Sequence, residues 1–311
     1  MQTEDTAQHT IFVIGECMVE LQRNGSGMTY RFGGDTLNAA VYLARLLDPA
    51  RFAISYVTGL GKDTLSEEMC AAWQAEGIGT DCVQRFDDKL PGMYLIETDA
   101  RGERRFHYWR NDSAARFWLR GPQTEAVLAR LFAADVIYLS GISLAILPPE
   151  DRERLFDLLA RCRMHGSRIV FDNNYRPRLW PDATVAADAY RKAMAVAHTA
   201  LLTLDDEAML YGDADPAAAL ARARALGVSE IVIKRGADAC IAESGGLMTE
   251  LAAEPVADVV DTTAAGDSFG AAYLAARLAG MPQLEAVRAG HRLAAAVIRH
   301  PGAIIPRSAM P

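Results

Sequence analysis

Short apolar runs alternate with longer stretches of helical periodicity along most of the chain. Ile11–Ile14 is an uninterrupted apolar run and predicts a strand buried on both faces. Leu37, Ala40, Val41, Ala44 and Leu47 recur at helical spacing behind Asp35-Thr36, a helix-opening composition that follows Gly33-Gly34. Ile54–Val57 predicts the next strand and Ser66–Ala75 the next helix. Strands are expected at Asp135–Leu139 and Arg168–Phe171, flanking the helix Pro149–Arg163. Ala200–Leu204, Glu230–Ile233 and Ala239–Ala242 continue the strands, with an Ala-rich helix at Pro216–Leu226 between the first two. Ser268–Leu278 and Leu284–Ile298 predict two closing helices. Such alternation implies an α/β fold with a mainly parallel sheet flanked by helices.

Two regions break the rhythm. Val19–Phe32 and Gly92–Trp109 alternate polar and apolar residues, as in Met93-Tyr94-Leu95-Ile96-Glu97, and Thr98-Asp99-Ala100-Arg101-Gly102 has turn composition. This describes hairpins with one wet face. Drawn from about 16–32 and 91–110, they predict a small antiparallel β lid over one edge of the main sheet.

At 311 residues, 50% hydrophobic and 23% charged, the chain has ample material for one large α/β unit. No run approaches the ~20 apolar residues of a membrane span, and the first nine residues lack signal-peptide order. A cytoplasmic protein without membrane association is expected. The net charge of −8, with both signs interspersed, argues against a nucleic-acid partner. Five widely spaced cysteines and six scattered histidines form no zinc or HExxH pattern, and no metal ligands are assigned from them.

Most informative is Asp261-Thr262-Thr263-Ala264-Ala265-Gly266-Asp267-Ser268-Phe269, where small residues run into a helix. Bare N–H groups at such a start attract oxyanions, and Asp267 beside them suits a general base that aligns a hydroxyl for phosphoryl transfer. Taken alone, Asp267 or Asp261 also reads as a simple helix cap. Gly33-Gly34-Asp35-Thr36-Leu37-Asn38 lets a ligand approach the backbone and offers Asp35 and Asn38 to its hydroxyls. Asp172–Trp180, which holds Asn174 and Arg176, falls where open α/β sheets bind ligands, beyond a strand's carboxyl end. Arg110 closes the second hairpin and would fit a substrate carboxylate. Lys234-Arg235-Gly236-Ala237-Asp238 is another loop at the same edge. No GxxxxGK[ST] occurs, so phosphate is handled without a Walker loop.

These residues resemble the ribokinase-like (PfkB) carbohydrate kinases. Thr262–Phe269 is similar to the family's C-terminal motif, and Gly33–Asn38 to its N-terminal sugar motif. Further similarity extends through Gly15–Met18, Pro91–Glu97, Tyr108–Arg110, Ser140–Ala145, Leu202–Glu207 and Gly302–Pro306, so it spans nearly the whole chain. It is strongest to the branch that phosphorylates 2-keto-3-deoxygluconate. The resemblance implies a single ribokinase-like kinase domain over residues 1–311, using ATP and Mg2+ to phosphorylate that keto sugar acid at its 6-hydroxyl. By motif, Asp267 is the base, and Ala264, Ala265 and Gly266 supply the anion hole. Gly34, Asp35 and Asn38 hold sugar hydroxyls; Tyr94, Tyr108, Arg110 and Arg176 surround the keto-acid end. Lys234, Arg235, Gly236, Ala237 and Asp238, with Asn174 and Thr203, line the nucleotide side. The family's small sheet also implies a homodimer or higher homo-oligomer.

The chain departs from the pattern at Ala264, often glycine in the family, and at Thr203, where the acidic motif Asp205-Asp206-Glu207 usually follows asparagine. A fructokinase or ribokinase on the same fold, or a sugar-binding regulator without catalysis, are the competing readings. Arg110 and Arg176 favour an acid substrate over a neutral one.

Overall fold

The computed structural model describes residues 8–24, 27–98, 104–212 and 215–311. Residues 1–7 of the polar opening segment lie outside them, as does the expected turn from Asp99 through Gly102. In chain order the strands are β1 His9–Ile14, β2 Met18–Asn24, β3 Gly27–Gly33, β4 Phe52–Leu60, β5 Ile78–Gly79, β6 Val83–Arg85 and β7 Gly92–Thr98. They continue as β8 Arg104–Trp109, β9 Val136–Ser140, β10 Arg168–Asp172, β11 Thr199–Thr203, β12 Glu230–Lys234, β13 Cys240–Ser244 and β14 Leu247–Leu251. The helices are α1 Asp35–Leu46, α2 Thr64–Ala75, α3 Thr124–Phe132, α4 Gly141–Ala145 and α5 Pro149–Met164. After these come α6 Ala183–Val196, α7 Leu204–Tyr211, α8 Pro216–Ala225, α9 Ala265–Leu278 and α10 Gln283–Val297.

The main sheet has ten strands in the order β14-β13-β12-β11-β10-β9-β1-β4-β5, with β6 also on β4. It is parallel except at the β12–β13–β14 edge. Side chains along each buried strand alternate between two apolar cores. Ile11, Val13, Val170, Leu201 and Val232 face the core built with α1, α9 and α10. Phe12, Ile14, Ile169, Phe171, Leu202 and Ile233 face the opposite core, against α3, α5, α6 and α8. Each such side chain withdrawn from water contributes roughly 1.5–3 kcal/mol, so both faces hold the sheet.

The small sheet runs β3-β2-β7-β8. Each hairpin is antiparallel, and a parallel seam between β2 and β7, with Met18 opposite Gly92, joins them. β2 follows β1, and β7 follows β6; both leave the carboxyl edge of the main sheet, so they run the same way. Val19 is fully buried and Leu21 and Phe32 pack beside it, anchoring the small sheet to the α1/α9 side of the body.

Two local boundaries differ from the sequence expectation. β11 stops at Thr203, and Leu204 opens α7 directly, so Leu204 is helical rather than the end of the strand. α9 starts at Ala265 rather than Ser268, because the left-handed Ala264 turns the chain into helix early. Helices α3, α4, α6 and α7 and strand β14 fall in stretches for which the apolar pattern gave no assignment.

Candidate active site

The chain leaves β1 toward β4 on one side, while β9 lies on the other. Such a switch point opens a crevice at the carboxyl ends of the strands. Into it converge Glu16 after β1, Ser140 ending β9, Asp172 ending β10, Thr203 ending β11 and Lys234 ending β12. Helices α1 and α9 start over the same edge, and Asn38 Nδ2 donates to Asp267 Oδ2 at 2.8 Å between their first turns.

Among the described residues, the two non-glycine positions with positive φ are Ala264 (61°) and Asn174 (28°), and both belong to this edge. An alanine in that region is held at about 1 kcal/mol against its preference, and strain of this kind collects at functional sites. Ala264 sits at the N-cap of α9 and offers no side-chain cap. The Ala265 N–H donates to Thr262 O at 3.2 Å, whereas no partner accepts from Gly266 N–H or Asp267 N–H among the described residues. Ala264, Gly266 and Asp267 thus carry N–H groups without a protein partner among the described residues, while the N–H of Ala265 closes the turn. Asp261 braces that turn from behind, accepting from Thr263 N (3.0 Å), Thr263 Oγ1 (2.7 Å) and Gly302 N (3.0 Å).

Lys234 adds a cation to the same spot. A Cβ at Gly266 would lie 3.6 Å from Lys234 Nζ, which itself bridges both oxygens of Asp172 at 3.1 and 3.2 Å. Tyr138 OH also donates to Asp172, at 3.2 Å. Burial first, then the charge of Asp35, push the Asp267 carboxyl up to about 7; Asp172 adds to this, while Asn38 and Lys234 oppose it. Asp35 is likewise raised by burial, against hydrogen bonds that include Asn174 Nδ2 at 2.7 Å. One carboxyl poised near neutrality beside bare amides and an ammonium is the arrangement a hydroxyl-activating base needs.

Beside the start of α9 lies a cavity of about 520 Å³. Thr203, Lys234, Arg235, Gly236, Ala237 and Asp238 all line it. Ala265 and Gly266 form the wall nearest Asp267. Arg235 turns its guanidinium outward to Ala239 O and Glu250, both at 2.5 Å, so it contributes wall rather than charge. Asn174 does not line this cavity; its amide donates to Asp35 at the start of α1. Phe269, the last residue of the Asp261–Phe269 stretch, and His291 form another wall, and the sequence assigned neither a binding role. They read there as ordinary helix positions, with no local signal to mark them.

The other face of the crevice carries the residues expected at the acid end. Tyr94 OH donates to Glu20 Oε2 at 2.5 Å and stands over Gly33; Tyr108 packs on Tyr94 with ring centroids 5.7 Å apart. Gly34 can only be glycine, since a Cβ there would meet Glu16 O at 2.2 Å. Neither arginine is an unencumbered clamp. Arg110 is ion-paired with Glu16, and Arg176 Nη1 reaches Tyr175 O at 2.8 Å and Asp206 Oδ1 at 3.4 Å. Pairs of residues 94 and 30 apart in the chain leave no local signal of such partners.

Among the described residues no group of three or more His, Cys, Asp or Glu is placed to hold a metal ion. Asp206 accepts from Tyr175 N at 3.1 Å, and Glu207 from Asn173 Nδ2 at 3.1 Å and Arg222 Nη1 at 2.7 Å.

The chain is 52% identical over 304 residues to a 2-dehydro-3-deoxygluconokinase of Dickeya dadantii (strain 3937), covering 97% of this chain and 98% of that one. It is 49% identical, with the same coverage, to the enzyme of that name from Escherichia coli (strain K12). Its fold superposes on the crystal structure of a PfkB protein from Polaromonas sp. JS666 with a TM-score of 0.81, at 25% identity, covering 94% and 96% of the two chains. Residues 8–310 match the family described as pfkB family carbohydrate kinase. The glycine pair opening α1, the small-residue entry to α9 and the two-piece small sheet thus have one origin, and the chain belongs to the pfkB family of carbohydrate kinases.

Proposed function

We propose that the protein transfers the γ-phosphoryl group of ATP to the 6-hydroxyl of 2-keto-3-deoxygluconate, the acceptor in its relatives' name, giving 2-keto-3-deoxy-6-phosphogluconate. The observation that carries this reading is Asp267, raised to about 7 beside the unpartnered N–H groups of Gly266 and Asp267. Asp267 takes the hydroxyl proton as the oxygen attacks. The N–H groups and Lys234 stabilise charge on the transferring phosphoryl group, in a site whose walls are fixed beforehand. Gly34, Asp35 and Asn38 hold the sugar, Asn174 orients Asp35, and Tyr94, Tyr108, Arg110 and Arg176 surround the keto-acid end. Ala264 sets the left-handed turn that exposes the amides.

The donor set fits magnesium carried by the triphosphate. Asp172 at the end of β10, and Asp206 and Glu207 in the first turn of α7, are each already paired, which leaves phosphate and water oxygens to coordinate the ion, as magnesium prefers. When bound, magnesium offsets the phosphate charge.

The whole chain acts as one kinase domain with the small sheet as its lid. Tyr30, Phe106, Tyr108 and Trp109, each 43–59% exposed on that sheet, support a homo-oligomer formed through it. Five buried free cysteines, and no described helix long and apolar enough to cross a membrane, support a cytoplasmic location. The test is a panel of sugars with ATP, read as kcat/KM. 2-Keto-3-deoxygluconate is expected to lead; a preference for fructose or ribose would overturn the assignment.

A further inference from the structure

Glu16 and Arg110 form the most secluded ion pair at the crevice, with side chains 0% and 8% exposed. Glu16 follows β1 on the main sheet, and Arg110 follows β8 on the small sheet, so the pair joins the two sheets at the site. The surroundings are shaped around it. A Cβ at Gly92, the first residue of β7, would lie 2.6 Å from Glu16 Oε1 and 3.3 Å from Arg110 Cβ. The Glu16 carbonyl is also the atom that leaves Gly34 no room for a side chain. Arg110 commits Nη2 to Glu16 Oε2, while Arg110 Nε and Glu16 Oε1 are buried with no hydrogen-bond partner.

Burying two charges is costly, and a hydrophobic pair would serve stability as well or better. What an ion pair supplies here is direction. A guanidinium on a flexible stem, anchored through one nitrogen, presents its remaining N–H groups along a fixed line, and bidentate recognition of a carboxylate depends on that line. We infer that Glu16 is a positioning residue that aims Arg110 at the carboxylate of the acceptor, making acid-sugar recognition a property of the pair rather than of Arg110 alone. This rests on the proposed keto-acid substrate and on Arg110 facing it.

The test is a double-mutant cycle with Glu16→Gln and Arg110→Ala. Glu16→Gln keeps the volume of the site, and unchanged near-ultraviolet circular dichroism and ATP KM would show that the fold persists. Arg110→Ala is expected to raise the KM for 2-keto-3-deoxygluconate by ~10-fold or more, and Glu16→Gln by a similar factor, with ATP KM within ~2-fold. The double variant should be no worse than Arg110→Ala. A keto-acid KM that is unchanged or lower in Glu16→Gln, beside a large Arg110→Ala effect, overturns the role of Glu16 alone, as would additive losses in the double variant. Equal keto-acid KM in Arg110→Ala and the parent overturns the clamp itself, and Glu16's role with it.

Discussion

Replacing Asp267 with asparagine should make the protein more stable while disabling it. The native carboxyl holds its proton up to about pH 7, about three pH units above its ordinary value, chiefly because of burial and the nearby charge of Asp35. The unfolded chain releases that proton near pH 4. Between those values the folded state binds more protons, so this group's contribution to stability is full below the unfolded pKa and is lost as pH rises through about 7. At ~1.4 kcal/mol per unit, a shift of this size corresponds to a few kcal/mol at most, borne jointly with Asp35. Asparagine fits the same space. The Asn38 amide can rotate to present its Oδ1, which is buried without a partner, to the new amide nitrogen. Urea denaturation at pH 5 and pH 8 measures the effect. Asp267→Asn should be the more stable protein at pH 8, by about 1–2 kcal/mol more than at pH 5. Equal stability differences at the two pH values would mean that Asp267 ionises at an ordinary pKa, and the electrostatic description of the site would fail.

Other consequences are open to direct measurement. A base that must be ionised gives kcat/KM that rises about tenfold per pH unit below about 7 and levels off above it; Asn38→Leu, which removes a hydrogen bond to the ionised form, should move that limb upward, and an unmoved limb would detach Asn38 from the base. Gly34→Ala drives a Cβ to 2.2 Å from Glu16 O, so urea melts should show a loss of about 1–3 kcal/mol together with reduced kcat/KM. Lys234→Met strands the buried carboxylate of Asp172 and should cost about 3–5 kcal/mol in the same melts, whereas Lys234→Arg should recover part of it.

Much of the fold was legible because its determinants are local. The strand β1 announces itself as a run of apolar residues buried on both sides, and α1 and α10 carry long apolar stripes. The stretch from Leu202 to Leu204 shows where this fails: β11 ends at Thr203 and α7 opens at Leu204, and a single threonine between two leucines does not mark the break. In the site, Asp267, Gly34 and the Lys234–Asp238 loop were readable from small-residue and glycine patterns that serve backbone geometry. The charges were not. Whether an arginine is free or paired depends on contacts between remote segments, so Glu16 as partner of Arg110, and Asp172 as partner of Lys234, emerge only from the fold. Ala265 shows the same limit at finer grain, since its N–H closes a turn onto Thr262 O, a contact that the run of small residues does not disclose.

The central claim, that Asp267 takes the proton from an acceptor hydroxyl held by the rest of the site, is tested most directly by measuring turnover and acceptor binding together in Asp267→Asn. Coupled ATP hydrolysis assays and calorimetric titration with 2-keto-3-deoxygluconate should show turnover reduced at least ~10³-fold with the acceptor Kd within a few-fold of the parent. Turnover within an order of magnitude of the parent would contradict the account.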